Sequence, residues 1–502
     1  MHVGFLVVGS MLFVGQFVLL FKLHFQAPTM LSNSVQYAHI ERLALKNQVE
    51  IKQNIQLENG ENETLSENLD NEISTSLVVD LNNTVVVEEK IIVRTEPLVK
   101  EITRLTSISF DQVVLRSINY RFQSSSTKGI IMCMSNNMVP IGASLIEELR
   151  ELGNYEPIQV YHCQEDELSE RAKTQLRNSA NGSEIEIIDV CSILMNNGIM
   201  SPWNVIQYKN FWLKPIALLF SSFDEVILMD IDNIFFENPS HLRLTSRYRK
   251  TGTLFFHDRV LDFNQFLNTE MENGETFIKE FFDRFPYNQF GLNHHEPSEY
   301  LSTSQVWNKN TAHEQDSSLV LLHKRRAGPV VLKLLWHLVT QTRFLDTIAY
   351  SWGDKEAFWL SYELGGVEYS FSPWDCSVVS RPDDQTLHPN TLCGSLAQYY
   401  PEDDATNSSL FYVNGRDVIS PRETKDVFQY QINYNDRECN LLSKMPQFVT
   451  PRHERNPTVF DRQGLDQTCL IDMGANRVDQ NIINVIKVRI KRSVAIAKAV
   501  FN

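Results

Sequence analysis

Four apolar residues in a row, Val226-Ile227-Leu228-Met229, run straight into Asp230-Ile231-Asp232. No other stretch constrains the fold as much. A short continuous apolar run bounded by polar residues suits a strand buried on both faces, as in a sheet covered by helices. The two carboxylates then fall at the strand's carboxyl end, the edge where open α/β sheets bind nucleotides. Residues two apart on an extended strand point the same way, so both acids can face one cleft. Hard oxygen ligands suit Mg²⁺ or Mn²⁺, which takes further ligands from substrate phosphates. A bare Asp-x-Asp also arises as loop capping; the strand in front of it favours a metal–diphosphate site.

The surrounding pattern agrees with a wound α/β body. Gly129 to Met134 has the length of a strand, and Leu145, Ile146 and Leu149 give Ile141–Leu152 a helical spacing. Ile158–Tyr161 and Ile185–Val190 read as further strands, and residues 208–220 as helix, broken or started at Pro215. Neither G-x-G-x-x-G nor G-x-x-x-x-G-K-[ST] occurs, which disfavours a dinucleotide dehydrogenase or a P-loop enzyme. Lys214, on the element before the aspartate strand, is either a point charge for a phosphate or a solvated helix end. From Asn233 to about Asn310 the sequence is aromatic-rich and irregular, loop material for an acceptor side or local core.

Charge and hydropathy set the context. A net charge of −16 argues against a nucleic-acid partner, and much of the acidity lies between Glu41 and Glu101. Val3 to Phe21 is free of charged residues and, as a helix at about 1.5 Å per residue, spans roughly 28 Å, close to the hydrocarbon thickness of a bilayer. It reads as a signal anchor rather than a cleaved signal peptide. The expected organisation is a short cytosolic end at 1–2, an anchor at 3–21, a stem at 22–125 and the catalytic domain at 126–502. The stem, polar and low in aromatics, is expected to be extended or partly helical. Four sequons, at Asn62, Asn82, Asn181 and Asn407, support a lumenal body. All seven cysteines lie between Cys133 and Cys469 with no C-x-x-C spacing, which disfavours zinc. The basic stretch Ile486–Phe501 is a surface helix closing the domain or, alternatively, a membrane-lying one.

Phe211 through Asp232 resembles the signature of the fungal α-1,3-mannosyltransferase family, Golgi type II membrane enzymes that use GDP-mannose. Two more blocks match in order, Glu314-Gln315-Asp316-Ser317-Ser318 and Trp352-Gly353-Asp354-Lys355-Glu356-Ala357-Phe358-Trp359. Cys393-Gly394-Ser395 and Phe411-Tyr412-Val413-Asn414-Gly415 are similar to the family's closing segments, so the resemblance covers roughly Lys128 to Gly415. Ile231 departs from it, standing where a small residue is common.

The resemblance implies an α/β GT-A glycosyltransferase fold, a Rossmann-like mixed sheet flanked by helices, and transfer of mannose from GDP-mannose with retention. Asp230 and Asp232 are expected to hold Mn²⁺ or Mg²⁺, with Lys214 beside the donor phosphates. Asp316, and Glu314 as second choice, are expected to orient the sugar; either acid could instead cap a turn. Asp354 is expected at the acceptor, or as the first-turn acid of the helix it opens. His388 and His453 are left out of the metal site. Sequence alone does not determine the disulfides; Cys376 with Cys393 and Cys439 with Cys469 are the expected pairs. The implied acceptors are mannose-ended N- or O-linked glycans on proteins, with the enzyme anchored in the Golgi membrane and its catalytic domain lumenal. The alternatives are another linkage or donor, such as α-1,2 transfer, or a catalytically silent glycan-binding subunit.

Overall fold

The computed structural model describes residues 127–501, apart from 346–347, 382–388, 403–408, 423–431 and 456–466, together with two strands nearer the amino end. The anchor at 3–21, the rest of the stem, His388 and the sequons at Asn62, Asn82 and Asn407 lie outside the described residues. The chain divides into two units, 1–93 and 94–502. In the first, β1 (Ser76–Val79) pairs antiparallel with β2 (Val85–Glu88). That hairpin was not expected within the stem. Both strands are valine-rich, and β-branched residues favour extended backbone.

The second unit is a mixed α/β body. It runs β3 (Lys128–Cys133), α1 (Val139–Glu151), β4 (Ile158–His162), α2 (Glu170–Ser179), β5 (Ile185–Asp189), α3 (Val190–Asn196), α4 (Leu213–Phe220) and β6 (Glu225–Met229). Then come β7 (Asn233–Phe235), β8 (Thr253–His257), β9 (Gln315–His323), α5 (Lys324–His337, kinked at Gly328) and α6 (Ala357–Leu364). The central sheet has the order β5-β4-β3-β6-β9-β8. Its strands β3 to β6 are parallel, while β9 runs antiparallel to both β6 and β8. Side chains alternate across β6: Val226 and Leu228 enter a core shared with α3 to α6, whereas Ile227 and Met229 enter one shared with α1 and α2. Apolar residues on both sides explain the continuous run that marked this strand.

Beyond α6 the chain forms β10 (Ser377–Ser380), β11 (Leu392–Cys393), β12 (Ser395–Tyr399), β13 (Leu410–Asn414), β14 (Phe448–Val449), β15 (Cys469–Leu470) and β16 (Asn476–Arg477). A second, antiparallel sheet of order β16-β14-β10-β12-β13-β7 borrows β7 from the segment after the aspartates. The last helix, α7 (Gln480–Phe501), packs on α1. Ile486, Ile490, Val494 and Ala497 form its buried stripe, so it closes the domain. Among the described residues no helix is long and apolar enough to cross a membrane.

Two sequence boundaries shift. The helix expected from residue 208 begins at Leu213, with Pro215 in its first turn, where a missing N–H costs nothing. Asp354, Lys355 and Glu356 lie in the turn before α6 rather than in the helix. The disulfide expectation is also corrected: Cys163 bonds Cys191, Cys393 bonds Cys469, and Cys376 and Cys439 are free thiols. Strand neighbours decide the pairing, since Cys393 and Cys469 face each other between β11 and β15.

Candidate active site

Four stretches far apart in sequence meet at the carboxyl end of β6. The Asp230 N–H donates to the Ser318 carbonyl on β9 at 2.8 Å, joining the aspartates to the Glu314–Ser318 block. Lys214, at the start of α4, places Nζ 3.0 Å from Asp230 Oδ1 and 3.1 Å from Asp354 Oδ2. It also donates to the Ser317 carbonyl and hydroxyl, both at 3.1 Å, and Ser317 in turn donates to Asp354. From β13, Asn414 donates to Asp232 Oδ1 at 3.1 Å, and the Gly415 N–H donates to the Asp232 carbonyl at 3.0 Å.

Lys214 is therefore not a solvated helix end. It is 4% exposed and engaged by two carboxylates, so it buttresses Asp230 from behind. Burial alone would lower its pKa, but Asp230 and Asp354 raise it, and the ammonium stays charged. Asp354 is 1% exposed, and burial, reinforced by the Asp230 charge and opposed by Lys214, pushes it up to about 6. It supports the site from below, not from an acceptor position in first contact with solvent. Gly353, at φ +73°, lets the chain turn into Asp354 where a side chain would strain the backbone.

Asp230 and Asp232 are the partly exposed members of the group. Burial, with the Asp230 charge adding to it, pushes Asp232 up to about 6. Asp230 gives one oxygen to Lys214 and Asp232 one to Asn414. Asp230 and Asp354 share the Lys214 ammonium, and the positive field on Asp232 comes from Arg416 before Lys214. Two partly exposed carboxylates two residues apart offer the hard oxygen that fits a divalent cation. Among the described residues no group of three or more His, Cys, Asp or Glu gathers in a metal-holding arrangement. His453 instead engages the Pro451 carbonyl.

Asp316 and Glu314 part company. A register shift between β8 and β9 sets Phe256 opposite Asp316 only two residues after Leu254 faces Leu321. Asp316 then turns toward the second sheet, accepting from the Ser318 N–H and hydroxyl at 2.9 and 2.7 Å and from Gln398 at 3.2 Å. Asp316 and Ser318 both lie within β9, so this contact is not the cap of a turn before the strand. Burial, then the nearby Asp258 charge, raises its pKa. Asp258 is paired in turn with Lys355. Glu314 enters a closed network: Arg455 Nε lies 3.1 Å away, the Val306 N–H donates at 3.1 Å, and His257 Nδ1 is at 3.5 Å. Although burial opposes ionisation, Arg455 and His257 hold Glu314 down at about 2. A separate cleft of about 990 Å³ beside Tyr300 and Phe371 contains none of the candidate acids.

Several contributors carried little sequence signal. Asn414 and Gly415 sat inside a matched block, as did Ser317, but Gln398, Asp258 and Arg455 did not. Gln315 is fully buried, and neither atom of its amide head has a hydrogen-bond partner among the described residues. Its place between two acids was the one hint.

Residues 127–400 match a family model described as "Mannosyltransferase putative". Alpha-1,3-mannosyltransferase MNT2 of Saccharomyces cerevisiae is 29% identical over 363 residues, 69% of this chain and 61% of its own length. Alpha-1,3-mannosyltransferase MNT3 of the same yeast is 24% identical over 340 residues, 64% of this chain and 52% of its own. Candida albicans "Putative alpha-1,3-mannosyltransferase MNN14" is 28% identical over 51% of this chain and 36% of its own length. The chain thus spans about a third to three fifths of these relatives. Among solved structures, galactosyltransferase LgtC in complex with donor and acceptor sugar analogs aligns with 63% of this chain and 96% of its own at 13% identity, with a TM-score of 0.31, too slight a likeness to argue from.

Proposed function

This chain belongs to the fungal α-1,3-mannosyltransferase family, and from that premise we propose that it moves mannose from GDP-mannose to mannose-ended glycans on proteins, forming α-1,3 linkages with retention. One observation carries the reading: the aspartate pair lies partly exposed at the carboxyl end of β6, with the three other family-like blocks folded around it. The proposed setting is a GT-A fold held in the Golgi lumen by an anchor at residues 3–21.

In this reading Asp230 and Asp232 hold Mn²⁺ or Mg²⁺. A divalent cation held there would supply electrostatic stabilisation of the charge that develops on the departing diphosphate. Everything else falls to the chain. Lys214 holds Asp230 and offsets part of the carboxylate repulsion, while Asn414 and Gly415 hold Asp232. Each aspartate therefore meets the donor already oriented, so little reorganisation is needed as charge develops. Asp316, held by Ser318 and Gln398, is the group of β9 assigned to the sugar. Glu314 is assigned a structural role.

The test measures GDP binding to the folded body with Mn²⁺ and with chelator, alongside a donor screen with linkage analysis of the product. Mn²⁺ should tighten GDP binding strongly, and Asp230→Asn or Asp232→Asn should abolish most of that gain. Turnover in either variant should fall on the order of 10²-fold or more while the fold survives. GDP binding that ignores the metal, or normal transfer by Asp232→Asn, would sink the reading.

A further inference from the structure

The two aspartates are mounted on a short turn between β6 and β7 whose internal support is thin, a single Asn233 N–H to Asp230 carbonyl contact at 3.3 Å. We propose that Arg489, on the carboxyl-terminal helix α7, is a positioning residue that holds this turn, making α7 a part of the metal–diphosphate site. The proposal rests on the reading of Asp230 and Asp232 given above.

Arg489 is wholly buried. Its Nη2 donates to the Ile231 carbonyl, the peptide oxygen between the two aspartates, at 3.0 Å. The same nitrogen reaches the Ile141 carbonyl at 3.0 Å, and Nε donates to Ser144 Oγ at 2.8 Å, so the guanidinium is also tied to α1. Its Nη1 lies 3.1 Å from Glu148 Oε1, and that oxygen accepts the Phe235 N–H at 2.8 Å. One buried ion pair therefore grips both ends of the segment from Ile231 to Phe235.

Stability does not explain this choice of residues. Burial pushes Arg489 down and Glu148 up, so each charge is penalised by its surroundings. A buried ion pair is often no better than a well-packed apolar pair of the same volume. Ile486, Ile490 and Val494 already dock α7 in the apolar way. What an apolar side chain cannot supply is a directed bond to a carbonyl and, through Glu148, to an amide. Those bonds set the turn against α1, and a small displacement of Ile231 would swing both carboxylates.

The principal variant is Arg489→Lys, which keeps a charge beside Glu148 but has no planar fork to serve Ile231, Ile141 and Ser144 together. The second is Glu148→Gln/Arg489→Met, which removes both charges and leaves an acceptor for Phe235. Each is compared with wild type by thermal unfolding, amide hydrogen exchange at residues 230–235, and the Mn²⁺ concentration giving half-maximal GDP binding. The expected result is a folded protein with exchange in this segment at least 10-fold faster and Mn²⁺ demand up about 10- to 100-fold, the range for groups that orient metal ligands. Unfolding temperature should track neither change.

Unchanged exchange in the folded variants would overturn the proposal, as would faster exchange with unaltered Mn²⁺ demand. Loss of folding in both variants would also count against it, by making the pair a determinant of the domain and not of the turn. If wild-type GDP binding proves independent of Mn²⁺, the metal reading fails first; the exchange data then still report whether Arg489 holds the turn.

Discussion

Replacing Arg455 with methionine separates a structural Glu314 from a sugar-facing one. Arg455 touches Glu314 at 3.1 Å, Asp375 at 2.6 Å and the Asp258 carbonyl at 2.8 Å, and Glu314 is 1% exposed. The network holds the Glu314 carboxyl at about 2 instead of the ordinary 4.5. At about 1.4 kcal/mol per pH unit this is worth on the order of 3 kcal/mol. Because the folded pKa is depressed, that stability is present above pH 4.5 and is lost as the pH falls through about 2. Removing one partner of a buried pair costs about 3–5 kcal/mol, so two lines of reasoning give the same size.

Arg455→Met should therefore lose roughly 3–5 kcal/mol at pH 7.5, by urea unfolding. Without the guanidinium, burial dominates and Glu314 should titrate above its ordinary range. The variant should then gain stability between pH 7.5 and pH 5, as protonation removes the buried charge, and Arg455→Met/Glu314→Gln should recover part of the loss without that gain. An Arg455→Met protein as stable as wild type at pH 7.5, or one showing no extra stability at pH 5, would refute the reasoning. Glu314→Gln adds a functional check: its activity should follow the folded fraction, and a fall in turnover at unchanged stability would move Glu314 back to the sugar.

Asp316→Asn should keep GDP affinity within about 2-fold of wild type while transfer drops 10-fold or more, the pattern of an interaction made at the reacting sugar; calorimetry with GDP and a transfer assay separate the two. Lys214→Met leaves Asp230 and Asp354 without their cation, so it should cost about 3–5 kcal/mol by urea unfolding and raise the Mn²⁺ needed for GDP binding. Thiol counting without reductant should find Cys439 reactive in the native protein and Cys376 only after unfolding. Cys393→Ser should lower stability by about 2–5 kcal/mol, since the lost bridge to Cys469 closes a long loop.

The parts legible in the sequence are those written in local periodicity. The apolar run before Asp230 is buried on both sides as its composition demands, and α1, β4 and β5 lie where spacing put them. The matched blocks around Asp316 and Asp354 also pointed to the right neighbourhood, since both fold against the end of β6. What each acid does there could not be read locally. Asp354 sits in a pre-helix turn, where a first-turn acid and a buried partner of Lys214 look alike in sequence; only the meeting of α4 with that turn distinguishes them.

By itself, then, the sequence determined the α/β alternation, the strand that presents the aspartates, and the family to which the blocks belong. Hydrophobic period and strand-edge chemistry act over a few residues, so they survive in one dimension. Tertiary structure alone decided the rest. The order β5-β4-β3-β6-β9-β8 carried Ser318 to Asp230 across 88 positions of sequence numbering, while Gln398 of the second sheet engaged Asp316 and Arg455 engaged Glu314. Strand pairing joined Cys393 to Cys469 instead of Cys376. Packing of α7 on α1 brought Arg489 to the Ile231 carbonyl. Ion pairs, disulfides and buried hydrogen bonds depend on distances between elements, and those distances exist only once the chain has folded.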